Sequence, residues 1–132
     1  MAFDALQLSR VCDSILLIDG VGSCTIFDPQ GRKVDAKVKG SSGSDVSSKY
    51  GSMIGGTVVG GLKPVEPFTG KLSSAVVVFE GFKAVVAVAE SGMSVVVTVP
   101  ISTDAEYVRR MIRSEFMRRE AEVSWGIQKL SR

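Results

Sequence analysis

The sequence predicts an α+β fold: a single α/β/α sandwich in the order α-β-β-α-β-β-β-α, with a five-stranded antiparallel sheet and helices on both faces. Three observations predict it. Three valine-rich runs, at 72–80, 83–89 and 93–100, are separated by the hairpin-length breaks Glu80-Gly81 and Glu90-Ser91-Gly92, the pattern of an antiparallel meander. Two of these runs, Val76-Val77-Val78 and Val95-Val96-Val97, do not alternate with polar residues, as strands buried on both faces would not. Helical periodicity appears at both ends of the chain and in its middle, which supplies the covering layers.

The elements follow in order. Residues 4–18, DALQLSRVCDSILLI, place Ala5, Leu8, Val11, Cys12 and Ile15 at the i, i+3, i+4, i+7 spacing of an amphipathic helix. Asp4 is suited to its N-cap and Gly20 to its left-handed end. Two short runs, about 22–28 and 32–39, flank Asp28-Pro29-Gln30-Gly31, whose residue types fit a type I turn in a β-hairpin. Residues 40–45, GSSGSD, read as a loop ending in helix-start chemistry. The glycine-rich stretch 50–61 follows, then KPVEPFTGK, where Pro64 and Pro67 argue against helix continuation. After the meander, residues 102–120 form a last helix. Thr103 and Glu106 fit a capping box, and Val108, Met111, Ile112 and Phe116 form its apolar stripe. The domain is expected over 1–118, with 119–132 a C-terminal tail or helix extension.

Composition excludes more than it selects. With 16 basic and 14 acidic residues the formal charge is +2, too balanced for nucleic acid or an anionic membrane as main partner. There is no histidine, which removes Ser-His-Asp and Cys-His nucleophile pairs, His-ligated zinc and imidazole acid–base chemistry. Two cysteines, Cys12 and Cys24, cannot build a Cys-only zinc site within one chain. They could form one disulfide; in the cytoplasmic setting expected from the absence of a secretory signal they read as small buried hydrophobes. Carboxylates are scattered. The expectation is a protein that is not an enzyme, with no catalytic residues, no cofactor, no metal and no membrane insertion.

The stretch YGSMIGGTVVGG holds five glycines in twelve positions and no charge. Gly56 and Gly61 have the outer spacing of a phosphate loop, but Leu62, Lys63 and Pro64 follow where Lys and a hydroxyl are required, and no strand precedes them. The uncharged run between Lys49 and Lys63 is too short and too polar to cross a membrane. Wound as a helix, Tyr50, Met53, Ile54, Thr57 and Val58 gather on one side, and Gly51, Ser52, Gly55, Gly56, Val59 and Gly60 mostly on the other. The bare face then meets either this chain's own sheet or a second copy.

This order of elements, with GVGSCTIFDPQGRKV, SSKYGSMIGGTVVGGL and SSAVVVFEGFKAVVAVAESGMSVVVTVP, resembles the roadblock / dynein light chain family from about Leu8 to Phe116. The resemblance implies a non-enzymatic homodimer, or a heterodimer, that regulates a small Ras-like GTPase or scaffolds a complex. Carried onto these positions, it implies a dimer surface of Gly51, Ser52, Gly55, Gly56, Val59 and Gly60, with strand 72–79, including Val76 and Val78, at the edge. A bulky residue at Gly55 or Gly56 is then expected to break the dimer and spare the fold. The alternative is a profilin-like module binding an actin-like cytoskeletal partner, whose pattern has one more strand than is seen here. Arg109, Arg110 and Arg113 read as a solvated helix face or as a partner surface. Trp125 reads as a partner anchor or as packing onto its own chain.

Overall fold

The hairpin turn shows how closely local chemistry sets the chain path. Asp28 accepts hydrogen bonds from the backbone N–H groups of Gln30 (3.0 Å) and Arg32 (2.9 Å), and from the Arg32 guanidinium at 2.8 Å. The Gly31 N–H donates to the Asp28 carbonyl, closing the four-residue turn, and Gly31 takes φ +85°, which glycine adopts without strain. The Arg32 N–H, then its guanidinium, hold the Asp28 carboxyl below its ordinary value. The stabilisation this gives the turn is present above the unfolded-state pKa and is lost as pH falls through the lower, folded one. In a carbon-13 titration, Asp28 is expected to titrate below ordinary aspartates. Arg32→Ala should raise its midpoint only in part, because the backbone N–H remains.

The computed structural model describes the backbone of residues 5–39 and 44–130, and the side chains of 9–39, 50–116 and 118. The elements are α1 (Ala5–Leu16), β1 (Ser23–Phe27), β2 (Lys33–Val38), α2 (Ser44–Gly55), α3 (Glu66–Thr69), β3 (Ser74–Val78), β4 (Phe82–Val88), β5 (Ser94–Pro100) and α4 (Ala105–Leu130). The strands form one five-stranded sheet in the order β2-β1-β5-β4-β3, and every neighbouring pair is antiparallel. The predicted α+β sandwich is therefore the observed one. The expected N-cap at Asp4, the side chains expected on the α1 stripe at Ala5 and Leu8, and residues 40–43 of the expected loop lie outside the described residues.

Two cores flank the sheet. On one face, Val11, Cys12 and Ile15 of α1 and Val108, Ile112 and Phe116 of α4 pack with Ile26, Val85, Val95 and Val97. On the other, Ile54, Val58 and Val59 pack against Phe27, Val86 and Val96. β5 lies between β1 and β4 with residues 94–99 buried on both faces, as its uninterrupted valines predict. Each fully buried valine contributes about 1.5–3 kcal/mol through water exclusion.

Four expectations are corrected. β3 carries a valine run like that of β5, yet it is not buried on both faces: Val76 is 42% and Val78 64% exposed, at the sheet edge where the family resemblance places strand 72–79. Pro64 and Pro67 do not end the helical path, because each sits in the first turn of a new short helix, Lys63–Val65 and α3, where a missing N–H removes no bond. Met111 is exposed, not part of the buried α4 stripe. The α4 cap is Asp104, whose carboxylate accepts the Glu106 N–H at 3.0 Å, while the Glu106 side chain turns to Arg109. The backbone of α4 continues as helix to Leu130, through most of the segment 119–132.

Candidate interaction surface

The glycines of the 50–61 stretch divide into two sets with opposite surroundings. Gly51 and Gly55 are buried against the chain's own sheet. A Cβ at Gly51 would stand 2.9 Å from Thr25 Oγ1. At Gly55 it would stand 2.4 Å from one Phe27 ring carbon and 2.9 Å from Val96 Cγ2. Gly55 has helical φ −59° and ψ −47°, so its backbone would accept any residue and only the lack of space demands glycine. Gly56 and Gly60 are exposed, and a Cβ on either would meet nothing within 4 Å.

The segregation read from residue size therefore turns out differently. The sheet-facing stripe is Gly51, Ile54, Gly55, Val58 and Val59, an i, i+3, i+4, i+7, i+8 pattern that hides inside its own glycines. Of the two alternatives, the bare face at Gly51 and Gly55 meets the chain's own sheet, and Tyr50 and Met53 on the large face are 48% and 61% exposed. The signal that would have found the stripe is the glycine spacing itself, since Thr25 and Phe27 project from β1 into the space the missing side chains leave. Beyond Gly55 the helix widens into a π turn over Gly56–Gly60, and the Gly61 N–H bonds the carbonyls of Thr57 and Val58.

The outward face of α2 borders a groove of about 530 Å³. Tyr50, Met53, Ile54, Thr57 and Val58 form one wall, and Val77, Phe79 and Phe82 form the other. The rings of Phe79 and Phe82 stack with centroids 4.8 Å apart. Val77 pairs with Ala84 in the sheet, so it shares the α2 face; Val76 pairs with the buried Val85 and so lies, with Val78, on the α1–α4 face. β3 thus offers valines on both faces of a free edge that carries no charge and no proline. Of the other expected site residues, Ser52 and Val59 are half-buried.

The three arginines do not converge on one site. Arg109 pairs with Glu106 one helical turn away, Arg110 is exposed, and Arg113 donates to the Ser73 hydroxyl at the start of β3. Trp125 falls on the α4 backbone, and its side chain lies outside the described residues. Cys12 and Cys24 are free, fully buried and 3.6 Å apart between α1 and β1. The Cys12 hydrogen bond, then burial, push the Cys24 thiol well up, which keeps it protonated and unreactive. Among the described residues no cluster of three metal-ligating side chains occurs, and no helix is long and apolar enough to cross a membrane.

The two glycine sets lead to a prediction of opposite signs. Gly60→Ala and Gly56→Ala should each stabilise the fold by about 0.4–1 kcal/mol, because they restrict the unfolded chain and meet no obstacle. Gly51→Ala should destabilise it, because Thr25 must move. Urea denaturation at concentrations too low for association would check both.

No family model matches the sequence, and neither does any curated protein. Solved structures do match. MglB from Myxococcus xanthus superposes with a TM-score of 0.68 at 11% identity, over 98% of this chain and 94% of its own. A Roadblock/LC7 domain from Streptomyces avermitilis gives 0.66 at 12% identity, over 93% and 99%. MglC from Myxococcus xanthus gives 0.60 at 18% identity, over 88% and 98%. Likeness at these identities is a statement about architecture: the chain has the roadblock fold.

Proposed function

We propose that the protein is a non-catalytic homodimeric regulator or scaffold that acts on a small Ras-like GTPase. The observation that carries the dimer is β3. Its valine run has the composition of a core strand, yet in a single copy it is an exposed edge without the lysines, prolines or bulges that soluble proteins use to blunt such edges. Pairing β3 with β3 of a second copy would continue the sheet to ten strands, and the apolar groove beside it would let the Tyr50–Met53–Thr57 face of α2 pack across the two-fold axis. The sheet-bound Gly51 and Gly55 are not part of that contact, and Gly56 and Gly60 lie outside the groove.

The GTPase partner rests on the roadblock fold. A regulator of this class requires no catalytic side chain of its own if it positions residues that the GTPase already has. Sedimentation velocity at micromolar concentration tests the first half of the reading. A dimer supports it, and a clean monomer would favour a profilin-like module instead. GTP hydrolysis by a purified small Ras-like GTPase, measured with and without the protein, tests the second half.

A further inference from the structure

Beyond the end of α2, the Gly56–Gly60 π turn opens onto a second cavity, at the end of the sheet near the hairpin turn. It too has a volume of about 530 Å³, within the range of small-molecule sites. Its floor is apolar, built from Phe27, Leu72, Val88 and Ala89. One wall is the Gly56–Gly60 π turn, whose exposed backbone no side chain of the fold requires to be bare. π turns inside helices recur at functional sites.

The charges around this cavity are unevenly compensated. Three cations line it: Lys63, Lys71 and Arg113. Lys63 donates to the Pro29 carbonyl at 3.4 Å and Arg113 to the Ser73 hydroxyl, both neutral acceptors, and none of the three has a carboxylate partner among the described residues. Of the three acids on the rim, Asp28 is paired with Arg32, while Glu66 accepts the neutral Leu72 N–H at 2.8 Å and keeps its charge. That leaves Glu66 and Glu90 against three cations, a surplus of one positive charge.

We propose that this cavity binds a small organic anion, its apolar body on the Phe27–Leu72–Val88 floor beside the glycine turn and its anionic group among Lys63, Lys71 and Arg113. This is not the phosphate loop excluded by the sequence: the cations come from three separate segments. The site shares no side chain with the wall of the apolar groove and does not depend on dimerisation.

Two dyes with the same rings test it: 1-anilinonaphthalene-8-sulfonate and its uncharged counterpart N-phenyl-1-naphthylamine. The sulfonate should bind saturably at one site per chain, about tenfold or more tighter than the neutral dye, as one charge-assisted contact would give. Amide NMR shifts should centre on Gly56, Gly60, Lys71 and Ser73. Lys63→Ala with Lys71→Ala should weaken sulfonate binding about tenfold or more at unchanged thermal unfolding. Gly60→Leu should block the cavity. Equal affinity for both dyes, insensitivity to the double lysine variant, shifts centred on Tyr50, Met53 and Phe79, or no saturable binding would each overturn the proposal.

Discussion

Val78→Lys is expected to convert the dimer proposed above to a monomer without unfolding it. Val78 is 64% exposed in one copy, so the fold loses little when it is replaced; surface substitutions of this kind usually fall within about 0.5 kcal/mol. In the proposed dimer the same position would lie beside the second β3, and two-fold symmetry would double every change made there. Each lysine would bring a charge to a strand that has none, the device by which natural edge strands refuse partners. The dissociation constant should rise about 100-fold or more, close to 3 kcal/mol. Sedimentation velocity reads the association, and circular dichroism with thermal unfolding reads the fold. A Val78→Lys protein that still sediments as a dimer would remove β3 from the interface.

Gly55→Leu is expected to do the reverse of what the sequence alone implies. Read as a dimer contact, the position should tolerate a large residue in the isolated fold. Its surroundings instead place Phe27 and Val96 where even a Cβ must go, at 2.4 and 2.9 Å. Relief would require α2 to lift off the sheet, or Phe27 and Val96 to leave the small core they form with Val86. Overpacking of this kind costs about 1–3 kcal/mol, occasionally more, and a leucine adds three further carbons beyond the first clash. A loss of about 3 kcal/mol or more is a large share of the stability of a small domain. Urea denaturation should show a midpoint far below that of the parent protein, or no cooperative transition. Gly56→Leu, one residue along and open to solvent, is the matched control and should fold normally.

The two valine runs show how much of this was legible. Val95-Val96-Val97 and Val76-Val77-Val78 carry the same local signal, a strand without polar alternation. β5 meets that signal within one copy, between β1 and β4; β3 does not, and among the described residues it has β4 as its one neighbour. Periodicity reports that a residue belongs against something apolar, and it cannot report whether the cover is this chain or another. The glycines fail differently. Helical winding separates large from small residues correctly, but which side faces the sheet depends on what the sheet presents. Thr25 and Phe27 fill the space above β1, so the small residues went inward.

The sequence by itself determined the layered α+β architecture, the order and nearly the limits of its strands, the hairpin turn, and the exclusion of histidine-based chemistry. Each follows from local pattern: alternation, helical spacing, turn residues and composition. Only the tertiary structure decided that the β3 valines are left exposed in one copy, that Gly51 and Gly55 hold α2 close to the sheet, that the helical path survives Pro64 and Pro67, and that Lys63, Lys71 and Arg113 border one cavity. These depend on which surfaces meet across long sequence separations. That is a property of packing, and the spacing of residues along one element does not contain it.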